Sequence, residues 1–417
     1  MPAGLSTMDF AGGRETRESA GPVRGSSQQG MRAYNERLVL SLIRRHGALA
    51  KADIARLTGL SAQTVSVIMR ALEADQLLLR DAPVRGRVGQ PSVPMRLNPQ
   101  AVFSYGLKLG RRSSDLTLID FAGQCCGTLQ QTYPWPTVEG ILKFTHEGVA
   151  ELGRRIKNPR ARIAGLGIAA PYELWNWADE VGAPEGAMDE WRHVDLAAEL
   201  AALLPFSVMG ENDATAACGA ELLLGRGRSY ADFLYVFIGS FIGGGVVLDH
   251  ALYAGRSGNA GALGSMPVTG PDGRPVQLID VASLFTLERA LKQAGGEAGR
   301  LWRQPQDWSG FADLVDQWLA TTAHHLGQAI VAASAVIDFS ACVIDGAFPP
   351  DVRARLVDLT RAAMNRLDLQ GLTPPQVVEG AVGAGARAMG GACLPLFRRF
   401  LLDRDVLLKE VLDAEGT

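Results

Sequence analysis

The chain has 417 residues, of which 47% are hydrophobic and 20% are charged. This composition can form a sizeable core, and at about 100–200 residues per domain the length predicts two or three domains. The 48 Gly and 21 Pro residues follow no period, which excludes a collagen-like chain. Residues 1–98 contain 14 Lys and Arg against 8 Asp and Glu, whereas the remainder contains 27 against 36. A basic N-terminal segment joined to an acidic body indicates a nucleic-acid-binding domain attached to a sensor or an enzyme.

The cysteines and the apolar segments define the expected compartment. The five cysteines form no C-x-x-C pair and their number is odd, so we expect neither a disulfide framework nor a cysteine-based zinc site, and we expect a cytoplasmic location. The first 30 residues lack the apolar segment of a signal peptide. The longest uncharged apolar stretch, residues 233–248, is shorter than the roughly 20 residues of a membrane span. We interpret it as two buried strands joined by a glycine turn, and we expect no membrane partner.

The N-terminal region shows three helical patterns in succession. Residues 1–30 contain little that could be buried, and they are predicted to form a disordered tail. Within residues 31–98, the first helical pattern stops at Gly47 and the second covers Lys51–Thr58. The third begins after Ser61, a suitable N-cap, and its apolar face consists of Val65, Ile68, Met69 and Leu72. Two short strands around a basic, glycine-containing loop follow, at residues 77–80 and 94–97.

Together these patterns are typical of a winged helix-turn-helix that binds DNA. The apolar face of the third helix must pack against the other two helices, so its opposite face is exposed and can enter the major groove. There Gln can read adenine, and Ser or Thr can hold phosphate. Two arginines on the wing would lie near the DNA backbone or the minor groove. The predicted DNA-binding residues are Ser61, Gln63, Thr64, Ser66, Val67, Arg70, Arg85 and Arg87. A helical protein-interaction domain with a solvated charged face is the alternative.

Beyond the turn signal Asn98-Pro99, residues 99–417 alternate between strand and helix patterns. The strand patterns cover 105–109, 115–121, 127–132, 163–169, 206–209 and 233–249. The main helical patterns cover 138–156, 196–204, 213–224, 281–294, 311–337, 351–366 and 384–399. Strands followed by crossover helices predict an α/β body. The two strand-rich regions are compatible with a duplicated fold.

Four segments of the body carry a resemblance to a known family. They are Gly165–Pro171, Glu211–Ala217, Gly239–Gly245 and Asn259–Gly264. In combination they resemble the ROK (repressor, open reading frame, kinase) family over nearly all of residues 35–400. The resemblance implies an α/β chain in which a winged helix-turn-helix precedes a two-lobed, actin-like (ribonuclease H-like) ligand-sensing domain, with the ligand in its cleft. Family members that carry such an N-terminal domain are typically sugar-responsive transcription regulators.

The phosphate-binding segments depart from the pattern of the ROK kinases. Those kinases carry Asp-x-Gly-Gly-Thr at the end of their first strand, whereas this chain has Lys108-Leu-Gly-Arg-Arg112. Phe241 stands in the second loop, where close approach of backbone to phosphate is expected. Because phosphoryl transfer depends on positioning and charge neutralisation, we expect no ATP chemistry, no catalytic residue and no cofactor. Arg111 and Arg112 are interpreted as a solvated edge, with binding of phosphate on another ligand as the alternative.

The sugar and zinc motifs of the family are altered as well. The family pattern Glu-x-Gly-His reads Ala262-Leu-Gly-Ser265 here, and no cysteine follows in residues 268–278. A tetrahedral zinc site needs about four Cys or His ligands, so we predict no metal. His324 and His325 are adjacent on a predicted helix, and we interpret them as surface or core-edge residues.

The resemblance still implies a ligand site. Its predicted residues are Pro171, Trp175, Asn212, Asp213, Asn259 and Ser265. The resemblance implies that Asn212 and Asp213 contact sugar hydroxyls. In ROK kinases the aspartate of this Asn-Asp pair is the general base. Capping of the helix at 213–224 is the alternative for this pair, and both roles can coexist. For Trp175, stacking on a sugar ring competes with lid or interface packing, which is the commoner role of a loop tryptophan.

Three functions are compatible with these features. The departures favour a DNA-binding transcriptional regulator, of repressor type, that controls carbohydrate uptake or metabolism genes and responds to a sugar or sugar derivative bound without catalysis. The alternatives are a ROK-type sugar kinase with an accessory DNA-binding domain and a ligand-independent DNA-binding scaffold. The expected partners are an operator in double-stranded DNA and a small carbohydrate-like effector. Two-fold operators and the family resemblance also predict a homodimer or homotetramer.

Overall fold

The computed structural model describes residues 28–83, 92–158, 160–171, 174–178, 182–270, 272–303 and 306–402. These residues form two compact units. The chain passes from the first unit to the second between Glu211 and Asn212, and it returns to the first between Gly390 and Gly391.

The first unit begins with a small helical domain, which we call the head. It contains the helices α1 (Gln28–His46), α2 (Lys51–Thr58) and α3 (Ala62–Ala74) and the strands β1 (Ala48–Leu49), β2 (Leu78–Arg80) and β3 (Met95–Leu97). The strand order is β1-β3-β2, with antiparallel pairing throughout. Residues 28–30, which the sequence assigned to the tail, are the first residues of α1.

Local sequence signals explain the bounds of the head helices. Gly59 adopts a left-handed conformation with φ 71°, and its amide donates to the carbonyl of Ala55, which ends α2. The Ser61 side chain accepts a hydrogen bond from the Thr64 amide and so caps α3. The predicted apolar face of α3 is buried, as its spacing requires: Val65, Ile68, Met69 and Leu72.

The larger sheet of the first unit has five strands. They are β4 (Val102–Leu109), β5 (Ser113–Asp120), β6 (Cys125–Thr132), β7 (Arg162–Ala170) and β8 (Val208–Asn212), in the order β6-β5-β4-β7-β8. β4 pairs antiparallel with β5 and parallel with β7. The helices of this region are α4 (Val138–Gly153) and α5 (Leu196–Leu203). The core between these elements includes Tyr105, Leu116, Leu166, Trp191 and Leu200.

The second unit contains a five-stranded sheet with the same order. It starts with α6 (Asp213–Leu224), and its remaining elements are β9 (Phe233–Ile238), β10 (Ile242–Leu248), β11 (Ala251–Tyr253), β12 (Pro267–Thr269), β13 (Pro275–Gln277), α7 (Ile279–Ala282), α8 (Leu284–Gln293), α9 (Ala312–Val336), β14 (Ala341–Gly346), α10 (Pro350–Met364) and β15 (Gln376–Glu379). The order β11-β10-β9-β14-β15 repeats the order of the first unit, with an antiparallel β9–β10 pair and a parallel β9–β14 pair. The repeated order supports the duplicated fold that the sequence left open. The last helix of the described part of the chain is α11 (Ala386–Phe400).

Side-chain contacts fix the head to the rest of the first unit. Arg44 of α1 donates a hydrogen bond to the carbonyl of Phe121 and lies over its ring, 5.5 Å from the centroid. The Phe121 ring meets Phe400 edge-on at 5.2 Å, and the amide of Leu402 donates to the Ser41 hydroxyl. Because these contacts are largely buried, the head and the sheet of the first unit are packed as one body rather than joined by a free linker.

None of the described helices combines the length with the apolar character that a membrane span requires.

Candidate nucleic-acid interface and ligand site

The outer face of α3 presents the side chains that the sequence predicts for DNA contact. Gln63 and Arg70 are exposed, Thr64 and Ser66 are half-buried, and Val67 is 49% exposed. An exposed valine on an otherwise polar face is unfavourable in water, but it is suited to contact with a thymine methyl group. The geometry therefore provides a polar and partly apolar surface of the kind that the major groove accepts.

Two of the predicted phosphate-binding hydroxyls are already engaged with each other. Ser61 Oγ lies 2.8 Å from Thr64 Oγ1, and it accepts the Thr64 amide at 3.1 Å. This contact orients both hydroxyls at the N-terminus of α3, where the helix dipole favours an anion. Ser61 is thus a cap in the free protein, and a phosphate contact by the same residue stays a prediction.

The wing begins at Arg80 and ends at Met95, where β2 and β3 pair. Arg85 and Arg87, which the sequence predicts as wing cations, lie outside the described residues. Their role stays a prediction.

In the first unit, Lys108 stands where the resemblance predicts the kinase carboxylate, and it is buried at 7% exposure. Its ammonium lies 3.1 Å from Asp115 Oδ2 and donates to Ser113 Oγ at 2.9 Å. The lysine therefore bonds to the β4–β5 hairpin itself. Its charge is compensated within the chain, which explains how a cation is tolerated at this position.

Arg111 does not lie on a solvated edge as predicted. It is half-buried, and its guanidinium lies over the Trp177 ring at 4.1 Å from the centroid, a cation–π contact. Arg112 is exposed and donates to the carbonyl of Pro134, as a surface residue would. The interpretation as a solvated edge was therefore wrong for Arg111. It rested on the two arginines being neighbours in the sequence, which does not reveal that Arg111 packs on Trp177, 66 residues later in the chain.

Pro171 and Trp175, the ligand-site residues predicted in the first unit, are both buried. Trp175 is 6% exposed and belongs to the core that includes Leu174 and Trp191. This burial supports the packing alternative for Trp175. Contact of either residue with a ligand stays a prediction.

Asn212 and Asp213 stand at the start of α6 in the second unit. Asn212 Oδ1 accepts the amides of Ala214 and Thr215, at 3.0 and 3.3 Å, so the capping alternative is realised for Asn212. Asp213, the first residue of the helix, has a different partner.

That partner is Arg387, near the start of α11. Its Nη1 lies 3.1 Å from Asp213 Oδ2, and each side chain is 18% exposed. The guanidinium also lies over the Phe237 ring at 5.1 Å. The residue that would be the general base is therefore held in a largely buried ion pair. Sequence reasoning missed Arg387, since nothing in the local pattern of a predicted helix marks one arginine as the partner of a residue 174 positions earlier.

The glycines of β10 explain how the site is assembled in the second unit. A Cβ at Gly243 would lie 2.8 Å from the Ala214 side chain, and one at Gly245 would lie 2.5 Å from Cys218, so both must be small for α6 to pack here. Gly244 faces the other way, against Leu263. The strand thus brings the start of α6 and the 259–265 loop to its two faces.

Phe241 fills part of the loop that binds phosphate in ROK kinases. Its ring meets Phe285 of α8 edge-on at 5.3 Å, and the amide of Phe285 donates to the carbonyl of Ser240. Asn259 and Ser265, the remaining predicted ligand residues, are exposed on the loop that packs against β10. They are available to a ligand, although a contact stays a prediction.

The described residues contain no group of three or more His, Cys, Asp or Glu side chains placed to hold a metal ion. Within the cysteine-free segment, Val268 pairs with Val276 and Thr269 with Pro275, between β12 and β13. The two adjacent histidines differ as expected for neighbours on a helix: His324 is exposed, whereas His325 is 4% exposed and has a ring nitrogen 3.0 Å from the carbonyl oxygen of Thr269.

Comparison with known families agrees with this geometry. A model described as the ROK family matches residues 104–395, and a model of a winged helix-turn-helix DNA-binding domain matches residues 32–78. The chain belongs to the ROK family. The combination of this ROK body with a winged helix-turn-helix is that of a transcription regulator, and the resemblance inferred from the motifs is confirmed.

Individual relatives of this ROK chain include a repressor and a kinase. It is 25% identical to the xylose repressor of Bacillus subtilis over 247 residues, which are 58% of this chain and 62% of the repressor. A solved ROK family transcriptional regulator, a homologue of the E. coli MLC protein, covers 92% of the chain and is itself covered completely, with 19% identity and a TM-score of 0.64. A ROK glucokinase from Streptomyces griseus, solved with glucose and AMPPNP, has 23% identity and a TM-score of 0.54. The match covers 70% of this chain and 98% of the glucokinase chain. The structural likenesses establish the winged helix-turn-helix and actin-like folds.

Proposed function

We propose that this ROK protein is a DNA-binding repressor of carbohydrate genes, controlled by a sugar or sugar derivative that it binds without catalysis. The observation that carries the proposal is the Asp213–Arg387 ion pair in a chain that also has an exposed α3 face. A carboxylate paired with a guanidinium keeps the ability to accept hydrogen bonds from hydroxyl groups. It is poorly suited to remove a proton from a sugar hydroxyl, because one of its oxygens already accepts a hydrogen bond from Arg387 at 3.1 Å.

The phosphate-binding segments support recognition without turnover. Lys108 is bonded to Asp115 and Ser113, and Phe241 is packed against Phe285. Neither arrangement offers the metal-binding carboxylate or the close backbone approach that ATP chemistry needs. ROK kinases share the fold, so the argument against the kinase alternative rests on these residues and not on the architecture.

The proposed control requires a ligand that distinguishes two states of the protein. A ligand changes DNA affinity only if it binds one state better than the other, and a tenfold change in operator affinity needs about 1.4 kcal/mol of coupling. One or two hydrogen bonds formed in a single state, for example to Asp213 and Ser265, can supply that amount. A dimer or tetramer acting on a two-fold operator is part of the proposal.

The test combines a ligand panel with a DNA-binding assay on the full chain. Neutral sugars, amino sugars and sugar phosphates are screened by thermal shift, and each hit is then added to a mobility-shift titration with DNA from the neighbouring genes. We expect one hit to change DNA affinity at least tenfold, and Asp213→Ala to abolish that response while DNA binding without ligand is kept. Arg366→Ala, an exposed arginine of the same unit, serves as the matched control.

Two results would contradict the proposal in different ways. ATP-dependent sugar phosphorylation that disappears in Asp213→Asn would favour the kinase. A panel that produces neither a thermal shift nor a change in DNA affinity would favour the ligand-independent scaffold.

A further inference from the structure

A run of cations connects α4 to β7 in the first unit. Residues 154–162 contain five Lys and Arg and no acid. Within the part of the chain that the structure describes, none of these five forms an ion pair, and all are exposed: Arg154, Arg155, Lys157, Arg160 and Arg162. A run of this kind carries a charge that the unit itself does not compensate.

The fold adds a sixth cation and fixes three of the six in place. Arg399, in the last turn of α11, donates to the carbonyl of Ile163, next to Arg162. Arg162 donates to the carbonyl of Asp75 at 2.6 Å, and Arg155 donates to the carbonyl of Cys126 at 3.0 Å. Carbonyl oxygens orient a guanidinium without neutralising it, so the positive charge is both ordered and available. We call the six residues the basic surface: Arg154, Arg155, Lys157, Arg160, Arg162 and Arg399.

The acids on the adjoining elements do not balance this charge. Glu73, near the end of α3, is bonded to Arg80 by both carboxylate oxygens, at 2.5 and 2.9 Å. That bond lowers the pKa of Glu73 and commits its charge to Arg80. Asp75 and Glu151 adjoin the surface along the chain, and Asp120 lies near Cys126, the residue whose carbonyl accepts from Arg155. Three carboxylates against six cations leave an excess of positive charge in the basic surface.

The basic surface is continuous with the head. Arg162 contacts Asp75, the residue that ends α3, and Asn158 donates to the carbonyl of Gln100 at 2.8 Å. A cavity of about 580 Å³ is lined by Arg80 and Asn98 of the head together with Asn158 and Arg160. The head is also packed on the first unit through Arg44, so the cations keep a fixed position relative to α3.

We propose that the basic surface binds the phosphate backbone of duplex DNA beside the segment that α3 reads, an inference that rests on the proposed DNA-binding function. α3 spans about 20 Å at 1.5 Å per residue, so the basic surface begins about 20 Å from the N-terminus of α3, the end that reaches the bases. At that distance the cations contact flanking phosphates and not the same bases. Such contacts add affinity and salt dependence, and they leave base preference unchanged.

The test neutralises three cations that make no side-chain hydrogen bond in the described structure. The variant Arg154→Gln/Lys157→Gln/Arg160→Gln is compared with Lys143→Gln/Arg228→Gln/Arg366→Gln, which removes the same charge from exposed positions elsewhere. Binding of each full chain to a random-sequence 40-base-pair duplex is measured between 50 and 200 mM salt. Each lost phosphate contact lowers the slope of log affinity against log salt by about 0.9.

For the first variant we expect the slope of log affinity against log salt to become smaller by two to three, and the DNA affinity at 100 mM salt to fall at least tenfold. For the control variant we expect a DNA affinity within twofold of that of the original chain. A second measurement locates the contact by lysine acetylation and mass spectrometry. The duplex should protect Lys157 from acetylation, whereas Lys143 of the same unit should react as it does without DNA.

Equal slopes for the two variants, or equal acetylation of Lys157 with and without DNA, would overturn the inference while the DNA-binding function stands. If the original chain binds no duplex at 50 mM salt, the proposed function fails and the inference fails with it. If the first variant keeps its DNA slope but loses binding to phosphatidylglycerol vesicles, the surface serves a membrane, and the inference is wrong.

Discussion

The carboxylate of Asp213 and the guanidinium of Arg387 lie 3.1 Å apart in the second unit, each of them 18% exposed. The pair joins the first residue of α6 to the beginning of α11. The resemblance to ROK kinases places their general base at Asp213, and in the proposed function this ion pair leaves the carboxylate a binding role without catalysis. It also links the proposed ligand contact to α11, the last helix among the described residues.

The energy of this ion pair can be measured by a double-mutant cycle. Because both side chains are largely buried, we expect Arg387→Gln and Asp213→Asn to show a coupling of about 1–2 kcal/mol in the free energy of unfolding. The surface pair Arg355–Asp316, with side chains 47% and 57% exposed, is the matched control, and its coupling should be below about 0.5 kcal/mol. Urea denaturation of the four chains in each cycle provides the values. A coupling no larger than that of the control would show that the pair does not hold Asp213.

The contributions of α3 and the wing to DNA binding should differ in kind. Gln63 is exposed on the outer face of α3, so Gln63→Ala should change the preferred base at one position by about 1–3 kcal/mol. Arg85→Ala/Arg87→Ala should instead weaken binding to all sequences and reduce the salt slope by about two. Selection from a random duplex library, followed by salt titration, distinguishes the two effects. The assignment of α3 as the reading helix fails if Gln63→Ala selects the same sequences as the original chain.

Close backbone contact in the first unit should make Gly167 irreplaceable. A Cβ at this position would lie 1.9 Å from the carbonyl oxygen of Gly391, a backbone atom that cannot rotate away. Gly167→Ala should therefore destabilise the protein by about 2–4 kcal/mol. Gly385→Ala is the control, because no atom lies within 4 Å of its added Cβ. Thermal unfolding should show a clear loss for the first variant and little change for the second, and similar melting temperatures would contradict the packing.

Burial should make the stability of the second unit depend on the ionisation of Glu221. Burial raises the pKa of this carboxyl, with a further contribution from the charge of Asp345, although the amides of Arg226, Ala381 and Val382 donate to it and act in the opposite direction. A raised pKa means that the folded state favours the protonated form. The contribution of Glu221 to the free energy of unfolding is therefore fully present below its ordinary pKa of 4.5. It is lost as the pH rises through the raised pKa of the folded state.

Glu221→Gln removes this titration. We expect the original chain to lose stability relative to the variant as the pH is raised from about 4.5 to 7, as measured by urea denaturation at each pH. A difference that is constant with pH, or that changes in favour of the original chain, would contradict the assignment.

Helices with strong local signals were predicted closely. α2 and α6 have the predicted bounds, residues 51–58 and 213–224, because Gly59 ends the first and Asn212 caps the second. The predicted helix at 281–294 is instead divided at Ser283 into α7 and α8. The Ser283 hydroxyl accepts the amide of Ile242, and its carbonyl accepts the indole N–H of Trp318. These contacts come from distant elements, so no local pattern could reveal the break.

The sequence by itself determined the winged helix-turn-helix and the ROK body, since each depends on residue types at short spacing. The tertiary structure decided which charges meet. Lys108 is neutralised within its own hairpin, Asp213 is paired with Arg387, and Arg399 joins the cations of residues 154–162. Electrostatic partners are selected by distance in space and by burial, and both arise only when segments far apart in the chain pack together.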